Sequence, residues 1–479
     1  MTLSIYDRIY DSTIRHGLYQ KLTYTILGLA ALSDEAEIIT LSIILPVITR
    51  EWGLSPQQQE VLGSVLFAGI FLGSIIIGFI ADKIGRRKAL LFSLCFQFIF
   101  AITAPLIQNY LVFLIVRSAL GIMIGCTIPV VVSYITEIST SDYRGKSQVF
   151  IQVFFVFGMI YATIMSLIFM ESFDNGNWRG LLLAGALPSL LVLIGTICFV
   201  KESPRFLFTA GKFQEAIQCL EKIATINNEY RNVTLNQQEK EELLYWQQEN
   251  LNKKEKKSTV KKLFKINNLL KTFPLLISWF GLSFNFFGMI FVLPFILGNN
   301  NEQLETKDPS GIFKYFLILF GELPALFIAY KIIDHKSFGR KNSTILGHLL
   351  ATLAFITGYF CQGNALIASL ILARLGTKLS FITINPLTSE LYKTNYRTLA
   401  LGFTSGFGRI GAVIMPMITL KLFAKDPQAP LLAFGIVSII MAIALCFIPY
   451  EPLGRKLDES DFEEDIMKEK VREIESRLI

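Results

Sequence analysis

Eight ionisable side chains stand inside long apolar stretches of this 479-residue chain: Asp34, Glu35, Glu37, Arg117, Glu322, Arg374, Lys378 and Arg409. An Asp, Lys or Arg at mid-membrane costs roughly 2.5–3.5 kcal/mol, so such residues turn toward a bundle interior and find partners there. Four are acidic and four basic, so buried pairing would balance them. Asp34 and Glu37 lie three residues apart and share one helical face. Desolvation favours the neutral form of a carboxyl, which lets it exchange a proton near neutral pH. Asp34 therefore reads as a proton or cation site, or as a fixed partner of Arg117 or Arg374. Glu35 points to another face, nearer water. Arg409 carries a permanently charged planar fork suited to carboxylate or phosphate. It reads as an anion clamp or as the partner of Glu322. Lys378 follows Arg374 by one helical turn and adds positive charge on the same face, either to a substrate or to a water-filled cavity. Asn285, beside Phe286, Phe287 and Gly288, can bond a ligand or a neighbouring helix.

The elements that must position these groups are apolar segments of about 20 residues, the length that crosses a hydrocarbon core. They are expected near 22–47, 60–81, 89–108, 110–134, 148–170, 180–200, 272–297, 312–333, 344–362, 364–389, 398–422 and 429–449. The composition agrees: 52% of residues are hydrophobic, 17% are charged and 40 are phenylalanine. The chain therefore reads as an all-α membrane protein with twelve transmembrane helices. Of the six cysteines, Cys95, Cys126, Cys198, Cys361 and Cys446 fall in apolar segments and Cys219 in a hydrophilic one, a pattern that predicts neither disulfides nor zinc. There is no phosphate-binding loop, no histidine cluster (His16, His335 and His348 stand apart) and no nucleophile constellation, so neither an enzyme nor a cofactor is expected.

The basic residues set the orientation. With both ends in the cytoplasm, the inner loops and tails hold about 35 Lys and Arg against about 5 outside. The net charge of +7 thus follows from topology and does not call for nucleic acid. Residues 1–21 read as a cytoplasmic amphipathic segment, 22–200 and 272–449 as two six-helix bundles, 201–271 as a cytoplasmic linker and 450–479 as a cytoplasmic tail. The linker begins with a helical stretch, Lys212 to Ala224, and passes through a Gln- and Asn-rich region. It ends in a lysine run from Lys253 to Lys265 that reads as solvated chain near anionic lipid heads.

The two bundles repeat. Gly78-Phe-Ile-Ala-Asp82-Lys-Ile-Gly85-Arg86-Arg87-Lys88 has its counterpart in Asp334-His-Lys-Ser-Phe-Gly339-Arg340-Lys341. Glu137 precedes Arg144 by seven residues, and Glu390 precedes Arg397 by seven. The offset is 254 residues for the first match and 253 for the second, and Arg117 pairs with Arg374. Two homologous halves follow.

At these residues the chain resembles the major facilitator superfamily. The turn around Asp82 and Arg86 is similar to its signature loop, and Arg117-Ser-Ala-Leu-Gly121-Ile-Met-Ile-Gly125 to its second motif. Glu202-Ser203-Pro204-Arg205 resembles a mark of the sugar-porter and organic-ion branches, and Pro449-Tyr-Glu451-Pro resembles an altered form of their closing motif. Ser33-Asp34-Glu35-Ala36-Glu37, Glu322-Leu-Pro324 and Ser405-Gly406-Phe-Gly408-Arg409 are similar to the synaptic-vesicle-two-related transporters. Lys378 stands where that resemblance expects a small residue. The resemblance implies two six-helix bundles that rock about a central site. It also implies cytoplasmic ion pairs that hold the halves together in one conformer, here Asp82, Gly85, Arg86, Arg87, Glu137, Arg144, Glu202 and Arg205 with Asp334, Arg340, Glu390, Arg397 and Glu451.

The function expected is secondary transport of a small organic ion, an anion by preference, coupled to protons. Sugar, phosphate or organic cation are the alternative substrates. A transport-inactive receptor, sensor or structural subunit is the alternative function. Asp34, Glu37, Arg117, Asn285, Glu322, Arg374, Lys378 and Arg409 are the candidate substrate and proton residues. The partners expected are substrate, proton and the lipid bilayer of the plasma membrane or an endomembrane, with the chain a monomer unless it joins a larger complex.

Overall fold

A computed structural model describes residues 5–140, 143–228, 233–252, 263–264, 266–299, 310–333, 335, 338–392 and 394–453. The first half contains α1 (Ile5–Ile9, continued by a π turn over Tyr10–Ile14), α2 (Leu18–Trp52), α3 (Pro56–Ile84), α4 (Arg86–Thr103), α5 (Tyr110–Ile138), α6 (Arg144–Phe169) and α7 (Trp178–Cys198). The linker forms α8 (Pro204–Thr209), α9 (Phe213–Asn227) and α10 (Gln237–Asn252). The second half contains α11 (Ile266–Asn299), α12 (Ser310–Phe320), α13 (Glu322–Ile332), α14 (Gly339–Phe360), α15 (Gly363–Glu390), α16 (Thr394–Phe423) and α17 (Ala429–Cys446).

Local chemistry sets several boundaries. Ser55 and Gln58 form a reciprocal cap ahead of α3: the Gln58 amide donates to Ser55 Oγ at 3.4 Å, and Gln58 Oε1 accepts from the Ser55 amide at 2.9 Å. Asn109 Oδ1 accepts from the amides of Leu111 and Val112 at the start of α5, and Asn177 Oδ1 accepts from Gly180 at the start of α7.

Eleven spans among the described residues are long and apolar enough to cross a membrane, with α12 and α13 counted as one (Ser310–Ile332). Helix α2 has the length, 35 residues, but its middle carries Asp34, Glu35 and Glu37. With α2 the predicted twelve are complete. Their polarity is inside out. Leu183, Leu187, Leu191 and Ile194 recur on one face of α7 and are 47–59% exposed, while the acidic run of α2 is at most 5% exposed.

The described chain divides into two compact units. Unit 1 comprises Met1–Trp52, Val65–Glu171 and Asn175–Lys256; unit 2 comprises Gly53–Ser64, Ser172–Asp174 and Lys257–Ile479. Within unit 1, α3 and α5 approach at backbone distance. A Cβ on Gly69 or Gly73 would strike the carbonyl of Ser118 or Ile122, and one on Gly121 or Gly125 would strike that of Leu66 or Ile70. Two facing small-xxx-small pairs thus let the helices pack without intervening side chains. Within unit 2, Gly408 and Gly411 of α16 play the same part against the Trp279 and Phe280 carbonyls of α11, whereas Gly402 and Gly406 meet nothing within 4 Å.

The linker's helical stretch is present as α9. It does not stand alone: α8, α9 and α10 pack with α1 against the start of α2. Phe208, Leu220, Ile223 and Leu243 are buried, and Tyr6 stacks on Trp246 at 5.4 Å. Asn227 accepts from the Tyr19 amide at 2.9 Å and donates to the Ile14 and Arg15 carbonyls at 3.1 Å. Arg8 pairs with Glu242. The cause is apolar spacing within a polar stretch, since Leu243 and Trp246 are three residues apart and give α10 a face to bury. Most of the lysine run, 253–262 and 265, lies outside the described residues.

Candidate functional site

In unit 1 the candidate residues lie on α2, α4 and α5. Asp34 and Glu37 follow one face of α2, as their spacing predicts, and each is 1% exposed. Arg117 of α5 donates through Nη1 to Glu37 Oε2 at 2.8 Å, and its guanidinium carbon lies 5.4 Å from the Phe113 ring centroid. Arg117 Nε and Nη2 are buried with no hydrogen-bond partner among the described residues. Glu37, and not Asp34, is therefore the partner of Arg117. Asp34 Oδ1 instead accepts from Gln97 Nε2 of α4 at 2.9 Å. Gln97 Nε2 also reaches Ser33 Oγ at 3.3 Å, and its Oε1 accepts from Thr127 Oγ1 at 3.2 Å. Glu35 is a correction: it is 5% exposed and not near water, because α2 is packed by α5, α6 and α7 along its middle.

In unit 2 the backbone breaks at Gly321, so that Glu322 opens α13. Glu322 Oε1 pairs with Arg374 Nη2, and Glu322 Oε2 lies 2.6 Å from Lys378 Nζ. All three residues are at most 2% exposed. Arg374 Nη1 donates to the Phe286 carbonyl at 2.9 Å, and the Phe286 ring lies 4.0 Å from the Arg374 guanidinium and 5.3 Å from the Lys378 ammonium. Lys378 thus shares the face of Arg374, as the one-turn spacing predicts. Both oxygens of Glu322 are engaged by α15, so the two reach a common carboxylate that the sequence reading offered to Arg409. Arg409 is half-buried on α16. Asn285 takes the helix-joining role: its Nδ2 donates to Phe434 O at 3.0 Å and Ser438 Oγ at 2.8 Å, linking α11 to α17.

The span charges divide unequally. Unit 1 has Asp34, Glu35 and Glu37 with one cation, Arg117. Unit 2 has Arg374, Lys378 and Arg409 with one carboxyl, Glu322.

The repeated turns hold two parallel clamps. In unit 1, Gly85 adopts φ 100°, and Glu202 Oε1 accepts from the amides of Arg86 and Arg87 at 2.9 and 3.0 Å. Arg86 reaches Glu137 and Asp82, each at 3.0 Å, and Arg87 Nε donates to the Val200 carbonyl at 2.6 Å. In unit 2, Gly339 adopts φ 66°, and Glu451 accepts from the amides of Arg340 at 2.6 Å and Lys341 at 2.9 Å. Arg340 reaches Glu390 at 2.9 Å, and Lys341 Nζ donates to the Ile448 carbonyl at 2.7 Å. A carboxylate thus caps the N-terminus of α4 and of α14, where the amides are unpaired and the helix dipole is positive. Each of these contacts closes within its own unit. Arg205 lies 3.8 Å from Asp7 and 5.5 Å from the Tyr6 ring, so it serves the docking of α1. Asp334 lies outside the described residues, as do the side chains of Arg144 and Arg397.

Gln97 and Thr127 are the site residues that sequence reasoning missed. Their signal was present: a Gln in the middle of an otherwise apolar span needs a buried partner.

The family model for sugar (and other) transporters matches residues 6–463. The synaptic vesicle 2-related protein of Xenopus laevis is 28% identical over 469 residues, which cover 94% of this chain and 82% of that protein. The organic cation/carnitine transporter 7 of Arabidopsis thaliana is 26% identical over 480 residues, covering 93% and 94%. A partially occluded inward-open structure of the xylose transporter XylE from E. coli matches with a TM-score of 0.72 at 18% identity, over 92% of this chain and 100% of that one. A structure of the same transporter described as a major facilitator superfamily proton:xylose symporter matches with a TM-score of 0.68 at 18% identity, covering 94% and 99%.

Proposed function

The chain belongs to the sugar (and other) transporter family and has the twelve-helix major facilitator fold, and on that footing we propose that it is a secondary active transporter carrying a small organic anion coupled to protons, by alternating access. The observation that carries this reading is the unequal division of the charges within the spans: unit 1 has three carboxyls and one guanidinium, with Glu37 on Arg117, and unit 2 has three cations and one carboxyl, with Arg374 and Lys378 on Glu322.

Asp34 and Glu37 are the proton-exchanging groups. Protonation of Glu37 removes the charge that Arg117 holds, and the guanidinium is then free to change partner. Arg374, Lys378 and Arg409 receive the anion, with Glu322 as the carboxylate that the substrate replaces or joins, and Asn285 keeps α11 in place beside them. The clamp residues act at the gates. Charge-assisted bonds present in only one conformer bias a two-state equilibrium by a few kcal/mol, and proton and substrate binding shift that bias. The two halves are 22–200 and 272–449, with both ends of the chain and the linker in the cytoplasm, the side that the Lys and Arg distribution favours. The transporter works as a monomer.

Purified protein in liposomes, offered organic anions, cations and sugars with and without an inward proton gradient, tests the reading. Gradient-driven uptake of an anion is expected, with Asp34→Asn and Glu37→Gln uncoupled and Arg409→Ala inactive toward the anion. Uptake of cations alone would favour the second reading. That reading is supported by the acidic excess of unit 1 and by the printed name of the Arabidopsis relative.

A further inference from the structure

Gln97 lies at 0% exposure in the middle of α4, between the carboxyl of Asp34 and the hydroxyl of Thr127. Its amide has one donor end and one acceptor end, and so reports which of its neighbours needs which. Thr127 has a single hydroxyl proton and two acceptors within reach, Gln97 Oε1 at 3.2 Å and the Met123 carbonyl at 2.9 Å.

These groups admit two arrangements. An ionised Asp34 only accepts. The amide then turns its NH2 toward Asp34 Oδ1 and Ser33 Oγ, and the Thr127 proton goes to Gln97 Oε1. A protonated Asp34 donates. A half-turn of the amide about Cγ–Cδ brings Oε1 to the Asp34 hydroxyl and Nε2 to Thr127 Oγ1, whose proton then swings to the Met123 carbonyl. The bonds balance in both states. One proton is added at Asp34, and every other hydrogen stays on its own heavy atom.

We propose that Gln97 is a positioning residue that reads the protonation state of Asp34 and relays it through Thr127 to α5, the helix that carries Arg117. The inference rests on the reading of Asp34 as a proton site and adds the route by which its charge is felt. Among the described residues, the elements that meet at Asp34 carry Glu35 and Glu37 on its own helix, Arg117 (engaged by Glu37) and Cys126 on α5, Tyr161 (donating to the Ala184 carbonyl) on α6, and Cys95 on α4. Helix α7 carries Arg179 in its first turn and Cys198 at its last residue, and α9 meets the opposite end of α2 from Glu51. Gln97 is the neighbour that changes from donor to acceptor without changing charge.

The test needs no substrate. Full-length protein in lipid nanodiscs is titrated by infrared spectroscopy, and the protonated carboxyl band of Asp34 is assigned by its loss in Asp34→Asn. Gln97→Leu removes a charge-assisted bond to the ionised form, about twice as strong as its neutral counterpart, so the midpoint rises by about one pH unit, tenfold in proton affinity. Thr127→Val moves it the other way, by roughly half a unit, because the Met123 carbonyl gains the hydroxyl proton only in the protonated state. Thr127→Ser leaves it in place. Opposite shifts support the relay; shifts of one sign, or none, overturn it. Thr127→Val is nearly isosteric, so the sign test holds even where Gln97→Leu does not fold. Absence of a titrating Asp34 band overturns the proton-site reading and the relay together. A titrating band with unmoved midpoints in both variants overturns the relay alone.

Discussion

Arg117 and Arg374 stand on corresponding helices of the two halves, α5 and α15, about one helical turn out of the repeat's register, and each is bound to a carboxylate of its own unit and lies over a phenylalanine ring, but the carboxylates come from different helices. Arg117 takes Glu37 from α2, and Arg374 takes Glu322 from α13 and shares it with Lys378. The rings are Phe113, 5.4 Å away on the same helix as Arg117, and Phe286, 4.0 Å away on a different helix from Arg374. The halves keep one cation in common and differ in what answers it. Duplication followed by separate use would leave this pattern.

The buried Glu37–Arg117 pair makes a stability prediction. Removing one partner strands the other charge in a dry interior, which costs about 3–5 kcal/mol, whereas replacing both by apolar residues of similar volume is often neutral. Arg117→Met alone should therefore lower the thermal midpoint of the detergent-solubilised protein strongly. The double variant Arg117→Met, Glu37→Leu should recover most of the loss while remaining inactive. A double variant no better than the single one would mean that the pair is not what Arg117 contributes.

The facing glycines make a second prediction. Gly125→Ala places a methyl against the Ile70 carbonyl, so the backbone of α3 or α5 must shift. The expected cost is about 1–3 kcal/mol. Gly402→Ala meets nothing within 4 Å and replaces a glycine in a helix interior, so it should be neutral or stabilising by up to ~1 kcal/mol. Thermal midpoints measured side by side check the contrast, and equal losses would contradict the packing described for α3 and α5.

Glu202 and Glu451 cap two helix N-termini with charge. Glu202→Gln and Glu451→Gln keep an acceptor oxygen and remove the charge, with an expected loss of roughly 0.3–1 kcal/mol each. The local readout is more informative than the global one. Hydrogen exchange should quicken at the amides of Arg86 and Arg87 in the first variant and of Arg340 and Lys341 in the second, and the untouched unit should serve as the control.

Much of this was legible in the sequence, for physical reasons that also mark where legibility stopped. Asp34 and Glu37 could be placed on one face because helical spacing is rigid. Lys378 could be placed with Arg374 for the same reason. The repeat marked the charged turns but not their partners: the resemblance implied bonds that hold the halves together, whereas the contacts of Arg86, Glu202, Arg340 and Glu451 described above close within each unit. What spacing does not fix is which of several neighbours a buried charge meets. Glu322 was offered to Arg409 and went to Arg374 and Lys378, because Gly321, lacking a side chain, lies against the Ile371 carbonyl and brings the start of α13 next to α15. Glu35 was assigned to water by its helical angle alone, and that angle carries no information about how many helices surround α2. Gln97 bears no charge and was passed over among apolar neighbours. The Gln-rich part of the linker carries no packing signal beyond Leu243 and Trp246, and these are covered by Tyr6 of α1, a residue far away in sequence.

The docking of that N-terminal segment gives the last prediction, a dependence on pH. The His16 ring lies parallel to the Tyr143 ring at 4.0 Å, and Lys146 Nζ stands 5.1 Å from the Tyr143 ring. Burial first, and the nearby Lys21 ammonium second, hold the His16 imidazole below its ordinary value. The docked form therefore binds fewer protons at His16 than the undocked form, and docking strengthens as pH rises. The contribution is complete above the ordinary histidine range, near pH ~6.5, and is lost as pH falls through and below it. Hydrogen-exchange protection factors for Tyr10–Ile14, which correct for the intrinsic effect of pH on exchange, should fall between pH 7.5 and 5.5 (a range spanning about one unit on each side of the ordinary histidine value). In His16→Phe, which keeps a ring for Tyr143 and cannot take up a proton, they should stay level over the same range. Equal slopes in the two proteins would show that the segment is held without reference to the charge on His16.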